Sequence, residues 1–296
     1  MRLEYQARGL SFVARQPLSS VLAGARASRL RGRGLDFDEL RLYNPGDDLR
    51  RLDWRASLRL GKPFVRTFTE ERDRPALLLV DQRMSMFFGS RLNFKSVTAA
   101  QVAALAAWIA FHAGDRVGGV VFNEQRSDTF RPLRSRARVQ GLCATIGRYN
   151  QALHGSRIVE DTDALHQVLR NCQRSAGHDH LICIVSDFAG LSEQTVPLLR
   201  ELRAHNDVLA LQVFDPMALE LPQHGQVTVT QGELQVQLNI DRRRVQRPLQ
   251  AFLRGRVDEV GVLMQRCQIP LMRFSTAEDV PVQLRRELGR LQGGRR

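Results

Sequence analysis

The sequence contains very little lysine. Of its 44 basic residues only Lys62 and Lys95 are lysine, and 31 acidic residues leave a formal charge of +13. Arginine is spread along the whole chain and interleaved with acids, and few aromatic residues that could stack on bases lie beside the densest basic clusters. Such a charge favours an acidic partner. We expect that partner to be an acidic protein surface, with nucleic-acid binding as the alternative.

Cysteine is also scarce, and its spacing excludes two classes of protein. The four cysteines lie far apart, so none of them forms the close pairs typical of zinc sites or redox motifs. Cys183 lies inside the apolar run LICIV, where a thiol behaves as a small hydrophobic group. The sequence therefore predicts neither a zinc module nor a thiol oxidoreductase.

Long apolar segments are missing as well. The opening residues, MRLEYQARGLSF, lack the apolar core of a signal peptide. The longest stretch without charge, residues 96–114, is alanine-rich and contains Gln101 and His112. This composition favours a buried helix over a membrane span. We expect a cytoplasmic protein with no membrane span.

The common catalytic motifs do not occur. There is no glycine-rich phosphate loop and no nucleophile elbow, and the serines lack a convincing His-Asp relay. We expect a protein that is not an enzyme. A metal-dependent phosphatase that uses two aspartates is the remaining enzymatic alternative.

From residue 76 onward the sequence alternates apolar strands with amphipathic helices. The runs ALLLVD, DRVGGVVFN, LICIVSD and DVLALQVFD read as strands, and a charge-free helix follows the first of them. DTFRPL reads as an edge strand because of its proline. This order predicts an α/β fold with a mostly parallel, Rossmann-like sheet that is covered by helices on both faces.

Two further segments do not follow this alternation of strands and helices. Period-two alternation around QGE, in GQVTVTQGELQVQLNI, predicts a β-hairpin laid over the sheet edge. Residues 1–75 mix turn residues with short apolar stretches. We expect them to form an irregular lobe with a few strands, ahead of an α/β domain over residues 76–296.

Two of the predicted strands end in aspartate, Asp81 and Asp187. Because the carboxyl ends of parallel strands meet at one edge of a sheet, the two carboxylates are expected to share a crevice. Ser85 follows the first aspartate by four residues, and Thr162 lies at the mouth of another helix. Two carboxylates and two hydroxyls form an all-oxygen set suited to Mg²⁺ or Mn²⁺.

Arg83 stands between Asp81 and Ser85, where a second hydroxyl would be expected. If its guanidinium enters the crevice and pairs with either carboxylate, it replaces the charge of the metal ion. If it points outward, a metal ion binds with one ligand fewer. We favour the site without metal, because neighbouring cations are costly at a low effective dielectric.

The order of elements and this set of oxygens resemble a von Willebrand factor A domain with its metal-ion-dependent adhesion site. That site combines the pattern Asp-x-Ser-x-Ser with a threonine and an aspartate that ends a strand. The resemblance implies that Asp81 and Ser85 match the first pattern, and that Thr162 and Asp187 match the other two ligands. Arg83 replaces the first serine, so the site is degenerate.

A longer block gives a narrower resemblance. YNPGDDLRRLDWRASLR, residues 43–59, is similar to the block YxPGDDxRxIDWxxSxR of domain-of-unknown-function family 58, whose members carry it ahead of an A-type domain. We interpret its polar and aromatic residues as either a structural network, in which Trp54 supplies apolar anchoring, or a partner contact. These residues are Asp47, Asp48, Arg50, Asp53 and Trp54.

The second resemblance also implies a function. Members of this family are commonly encoded with MoxR-type AAA+ ATPases and are thought to act beside them as adaptors. We expect a protein-interaction adaptor whose partners are such an ATPase and an acidic protein client. No cofactor is expected, and Mg²⁺ or Mn²⁺ would bind only at low occupancy.

Overall fold

The computed structural model of the chain describes residues 2–8, 10, 12, 35–44, 50, 52–70, 74–154, 163–221, 226–231, 234–239 and 243–293. The chain divides into two compact units, of which the larger joins residues 1–16 to 74–296 and the smaller spans 17–73. Helix α1 (Arg2–Gln6) therefore belongs with the larger unit, although the predicted lobe over residues 1–75 included it. The physical reason is the burial of apolar surface, since Ala7, directly after α1, is fully buried in the core of the larger unit.

The smaller unit is built on an antiparallel pair of strands. Strand β1 (Leu35–Leu42) pairs with β2 (Phe64–Glu70), with an irregular register near Phe37. Helix α2 (Trp54–Leu60) lies between them in the chain, capped by Asp53 and ended by Gly61 in the left-handed conformation. Strands were predicted for this region, whereas α2 was not.

The larger unit contains a six-stranded sheet. Its strands are β3 (Pro75–Asp81), β4 (Arg116–Phe122), β5 (Ser127–Leu133), β6 (Leu181–Ser186), β7 (Asp207–Phe214) and β10 (Leu271–Ser275). Their order is β10-β7-β6-β3-β4-β5, and only β5 runs antiparallel to its neighbour. The mostly parallel sheet is thus confirmed, and Pro132 lies in the edge strand as predicted. β3 and β6 are neighbours, which decides where the site forms.

Helices cover the sheet on both faces. On one face lie α1, α3 (Lys95–His112), α4 (Arg136–Gln151) and α8 (Val280–Gly293); on the other lie α5 (Ala164–Ser175), α6 (Thr195–His205) and α7 (Arg243–Arg266). Twelve of the 18 residues of α3 are buried, which confirms the buried helix predicted from its lack of charge. Across the described helices, none has the length and apolarity that a membrane crossing requires.

The predicted hairpin is present. Strand β8 (Gln226–Gln231) pairs antiparallel with β9 (Leu234–Asn239) in a continuous register. Among the described residues the two strands form a sheet of their own rather than extending the six-stranded sheet.

Candidate functional site

The two aspartates at the strand ends lie at the same edge of the sheet. Asp81 is the last residue of β3, and Asp187 follows the last residue of β6. The two strands are parallel neighbours, with Val80 paired to Val185, so both carboxylates emerge side by side. Asp81 is fully buried, and the side chain of Asp187 is 9% exposed. The sequence predicted this juxtaposition.

The carboxylate of Asp81 is held by a neighbouring arginine and a serine. Arg83 donates from Nε to Oδ1 at 3.0 Å and from Nη2 to Oδ2 at 2.8 Å, and its backbone N–H donates to Oδ1 at 2.9 Å. The hydroxyl of Ser186 donates to Oδ2 at 2.6 Å. Both oxygens of Asp81 are therefore engaged by donors from the protein itself.

The guanidinium of Arg83 points into the crevice. It is 3% exposed, donates from Nη2 to the carbonyl of Ala189 at 3.0 Å, and lies 3.9 Å from Oδ1 of Asp187. Burial by itself lowers the pKa of Arg83, but the adjacent charge of Asp81 and their hydrogen bonds outweigh it and leave the pKa raised. Of the two orientations that the sequence left open, the structure has the inward one.

A second cation pairs with Asp187. The ammonium of Lys95, at the start of α3, lies 2.7 Å from Oδ2 of this aspartate. Its Oδ1 accepts two hydrogen bonds, one from Ser85 Oγ at 3.3 Å and one from the Ala189 N–H at 3.0 Å. Burial by itself raises the pKa of Asp187, but the charges of Lys95 and Arg83 lower it further than burial raises it, to about 2. This carboxylate is ionised at neutral pH.

Sequence reasoning missed Lys95 and Ser186. Lys95 carried a signal, since it is one of two lysines in an arginine-rich chain and begins the helix that follows the Asp81 loop. Ser186 precedes Asp187 on a strand that is buried throughout, where a hydroxyl needs a partner. Glu124 was also missed; it accepts a hydrogen bond from the Met84 N–H, and burial raises its pKa.

The loop that leads from β3 to Lys95 is held by hydrogen bonds at the same edge of the sheet. Asp215, just after β7, accepts hydrogen bonds from the N–H of Ser90 at 2.8 Å, from the Ser90 hydroxyl, and from Thr276 Oγ1 at 2.6 Å. Burial by itself raises the pKa of Asp215, but these hydrogen bonds leave it lowered. The loop between β3 and α3 is thereby tied to the ends of two further strands.

Other predicted site residues lie elsewhere. Thr162, Asp47 and Asp48 fall outside the described residues. Asp53 caps α2 by accepting a hydrogen bond from the Ala56 N–H at 3.0 Å, which is a structural role. Arg50 is exposed.

Trp54 differs from its prediction. We expected it to anchor the block through apolar packing, but its side chain is 67% exposed, so that part of the prediction was wrong. The physical reason is its place at the first position of a seven-residue helix, of which only Ala56 is buried.

The site does not fit the divalent ion that the adhesion-site resemblance implies. Such an ion needs carboxylate oxygens with free lone pairs, whereas those of Asp81 accept from Arg83 and Ser186, and Oδ2 of Asp187 accepts from Lys95. Within the described part of the chain, no group of three or more His, Cys, Asp or Glu residues is arranged to hold a metal ion.

The strand order and the position of the site define the class of protein. A mostly parallel sheet with one antiparallel edge strand, and with aspartates at the carboxyl ends of two adjacent central strands, is a von Willebrand factor A-like fold. More narrowly, the chain belongs to the family described as "Protein of unknown function DUF58", which matches residues 39–256.

Several proteins are similar to this chain along most of its length. The uncharacterized protein Rv1480 of Mycobacterium tuberculosis is 31% identical over 274 residues, which cover 92% of this chain and 84% of the relative. Among solved structures, the conserved hypothetical protein BatB from Bacteroides thetaiotaomicron has a TM-score of 0.43 at 11% identity and covers 74% of this chain and 99% of its own. The SpRpn10 VWA domain has a TM-score of 0.38 at 8% identity, with coverages of 73% and 95%.

Proposed function

We propose that this protein is a non-enzymatic interaction adaptor that works in the cytoplasm with a MoxR-type AAA+ ATPase in the assembly or maturation of a client complex. The observation that carries the proposal is the state of the crevice. A general base needs a free lone pair and a pKa near the working pH. Asp81 has both oxygens engaged and Asp187 has a pKa of about 2, so neither aspartate is suited to act as a general base, which supports a role in partner contact.

The rim of the crevice supports an acidic partner. The Lys95 side chain is 16% exposed, and Ser85 is half-buried. Among the described residues, the hydrogen bonds of the Arg83 side chain use Nε and Nη2, so we take Nη1 as the nitrogen that would donate to a carboxylate of the client. In this proposal the degenerate adhesion site receives an acidic side chain through these two cations.

Apolar side chains beside Lys95 add to this surface. Phe88, Leu92 and Phe94 are 43%, 61% and 43% exposed on the loop between β3 and α3. Interfaces commonly surround a few buried apolar contacts with polar ones. A partner segment that combines an acidic residue with apolar neighbours matches this loop.

The smaller unit offers a second contact surface. Trp54 and Leu58 lie one turn apart on α2 and are 67% and 84% exposed, and Arg55 and Arg59 beside them are exposed too. Tryptophan and arginine are the residues most enriched at the energetic centres of interfaces. This exposure favours partner contact for the block that contains Trp54.

The test is a binding measurement with one variant at the crevice and one away from it. Ser85→Glu places a negative charge at the rim, where it repels an acidic partner, and Asn171→Glu adds the same side chain on the exposed surface of α5. We expect the wild-type chain and Asn171→Glu to co-purify with a MoxR-type ATPase from the same organism, and Ser85→Glu to lose at least tenfold in affinity for the client. Absence of the ATPase from the wild-type preparation would refute the partner. Equal client binding by all three chains would refute the crevice.

Nucleic-acid binding is the alternative function, and the formal charge of +13 is the observation that favours it. It predicts an affinity for duplex or single-stranded DNA that falls steeply with salt. The adaptor proposal predicts no such binding at physiological salt. A metal-dependent phosphatase has less support, because the arrangement around Asp81 and Asp187 does not fit the ion that it would need.

A further inference from the structure

We propose that Arg83 and Lys95 together take the place of the divalent cation of an adhesion site, so that the crevice takes up neither Mg²⁺ nor Mn²⁺. Asp81 and Asp187 carry two negative charges, and the guanidinium and the ammonium carry two positive charges. The charge balance is that of one divalent ion between the same carboxylates. This inference concerns the chain alone and does not depend on the proposed function.

The oxygens that would bind a metal ion are already occupied. Each of the four carboxylate oxygens accepts at least one hydrogen bond, from donors on Arg83, Ser186, Ser85, Ala189 and Lys95. A hard divalent cation binds through lone pairs of such oxygens. It would have to displace these donors and would then lie beside two cations at a low effective dielectric.

The position of Lys95 points to the same role. It is the first residue of α3, where the positive end of the helix dipole disfavours a cation. Its ammonium nevertheless lies 2.7 Å from Asp187. We attribute the lysine to this carboxylate, since a compact ammonium makes a point contact that a planar guanidinium does not replace.

The two cations differ in the carboxylates that they contact. Arg83 bridges the carboxylates, since Nη2 lies 2.8 Å from Oδ2 of Asp81 and 3.9 Å from Oδ1 of Asp187. Lys95 contacts Asp187 alone among the aspartates of the crevice. Removal of Arg83 therefore opens the space between the carboxylates, and removal of Lys95 frees an oxygen of the second one. Both changes are needed to restore a site for a divalent ion.

Calorimetric titration with MgCl₂ and MnCl₂ tests this directly. We expect no binding heat from the wild-type chain at metal concentrations up to about 1 mM, which is the weak end of all-oxygen protein sites. The double variant Arg83→Ser/Lys95→Ala should bind one Mn²⁺ per chain, at least tenfold more tightly than Arg83→Ser alone. Its melting temperature should rise on addition of MnCl₂, whereas that of the wild type should not change.

A matched control lies at the opposite end of the sheet. Arg74 also bridges two carboxylates, at 3.2 Å from Asp115 and 3.2 Å from Asp207. Arg74→Ser removes a guanidinium from between two aspartates without creating the adhesion pattern, and it should bind no Mn²⁺. Equal uptake by Arg74→Ser and the double variant would overturn the proposal, because any pair of carboxylates that has lost its arginine would then suffice.

A measurement on the unmodified chain decides the matter if the variants do not fold. Mn²⁺ broadens NMR signals of nearby nuclei, so the side-chain Nε–H signal of Arg83 reports on the crevice. We expect this signal to keep its width on addition of MnCl₂ at a concentration equal to that of the protein. Selective broadening of it, or stoichiometric metal uptake by the wild type, would overturn the proposal. So would a folded double variant that binds no metal.

Discussion

The ammonium of Lys95 lies 2.7 Å from Oδ2 of Asp187, a residue 92 positions further along the chain. This ion pair joins the start of α3 to the end of β6. It also gives the crevice its second positive charge, next to that of Arg83. The stability of the protein should therefore depend on Lys95 more than on an exposed cation.

Lys95→Met should lower the free energy of unfolding by about 1.5–3 kcal/mol, because it removes a charged hydrogen bond and leaves the carboxylate of Asp187 without its main partner. Urea unfolding at neutral pH measures the change. Lys62→Met is the control, since Lys62 is the other lysine and is exposed, and it should change stability by no more than about 0.5 kcal/mol. Equal effects of the two substitutions would contradict the ion pair.

The lowered pKa of Asp187 predicts a pH dependence of stability. Although burial opposes it, the charges of Lys95 and Arg83 lower this pKa from 3.8 to about 2. The folded state therefore binds the proton less tightly than the unfolded state does, and the stabilisation is complete above pH 4. It is lost as the pH falls from about 4 to about 2, and its size is roughly 2 kcal/mol.

Comparison of the wild type with Asp187→Asn checks this dependence. The difference between their free energies of unfolding should be constant from pH 7 to about pH 4 and should shrink below that value. Unfolding titrations with guanidinium chloride at each pH provide the measurement. A difference that stays unchanged down to pH 2 would show that Asp187 has an ordinary pKa.

Trp54 should dominate the solvent-accessible fluorescence of the protein. The chain has two tryptophans, of which Trp54 is 67% exposed and Trp108 is 5% exposed. Trp54→Phe should shift the emission to shorter wavelength and remove most of the quenching by acrylamide, with a change in stability of no more than about 0.5 kcal/mol. Quenching that persists in Trp54→Phe would contradict the exposure of Trp54 on α2.

Gly119 should not tolerate a side chain. A Cβ atom at this position would lie 2.3 Å from the carbonyl oxygen of Leu78, in the backbone of the strand that carries Asp81. Gly119→Ala should lower the free energy of unfolding by at least about 2 kcal/mol. The same substitution at Gly147, in the open on α4, should be neutral or stabilise the protein by up to about 1 kcal/mol. Thermal melts of the two variants should therefore differ clearly.

The long apolar elements of the fold could be predicted, whereas its two shortest α-helices could not. The buried strands and α3 are long apolar runs, and their period and composition identify them. Helices α1 and α2 have five and seven residues, which is too short for an apolar period to repeat. Helix α8 was missed although it carried a signal: Val280, Leu284 and Leu288 recur at intervals of four and are all buried.

The sequence by itself determined that two carboxylates meet at one edge of the sheet. Strands that end in Asp81 and Asp187 are recognisable from local pattern, and parallel strands place their carboxyl ends together whatever surrounds them. Only the tertiary structure decided what neutralises these carboxylates. The direction of Arg83 and the partner of Lys95 depend on side-chain rotamers and on distances between segments far apart in the chain, which are set when the sheet and its helices pack.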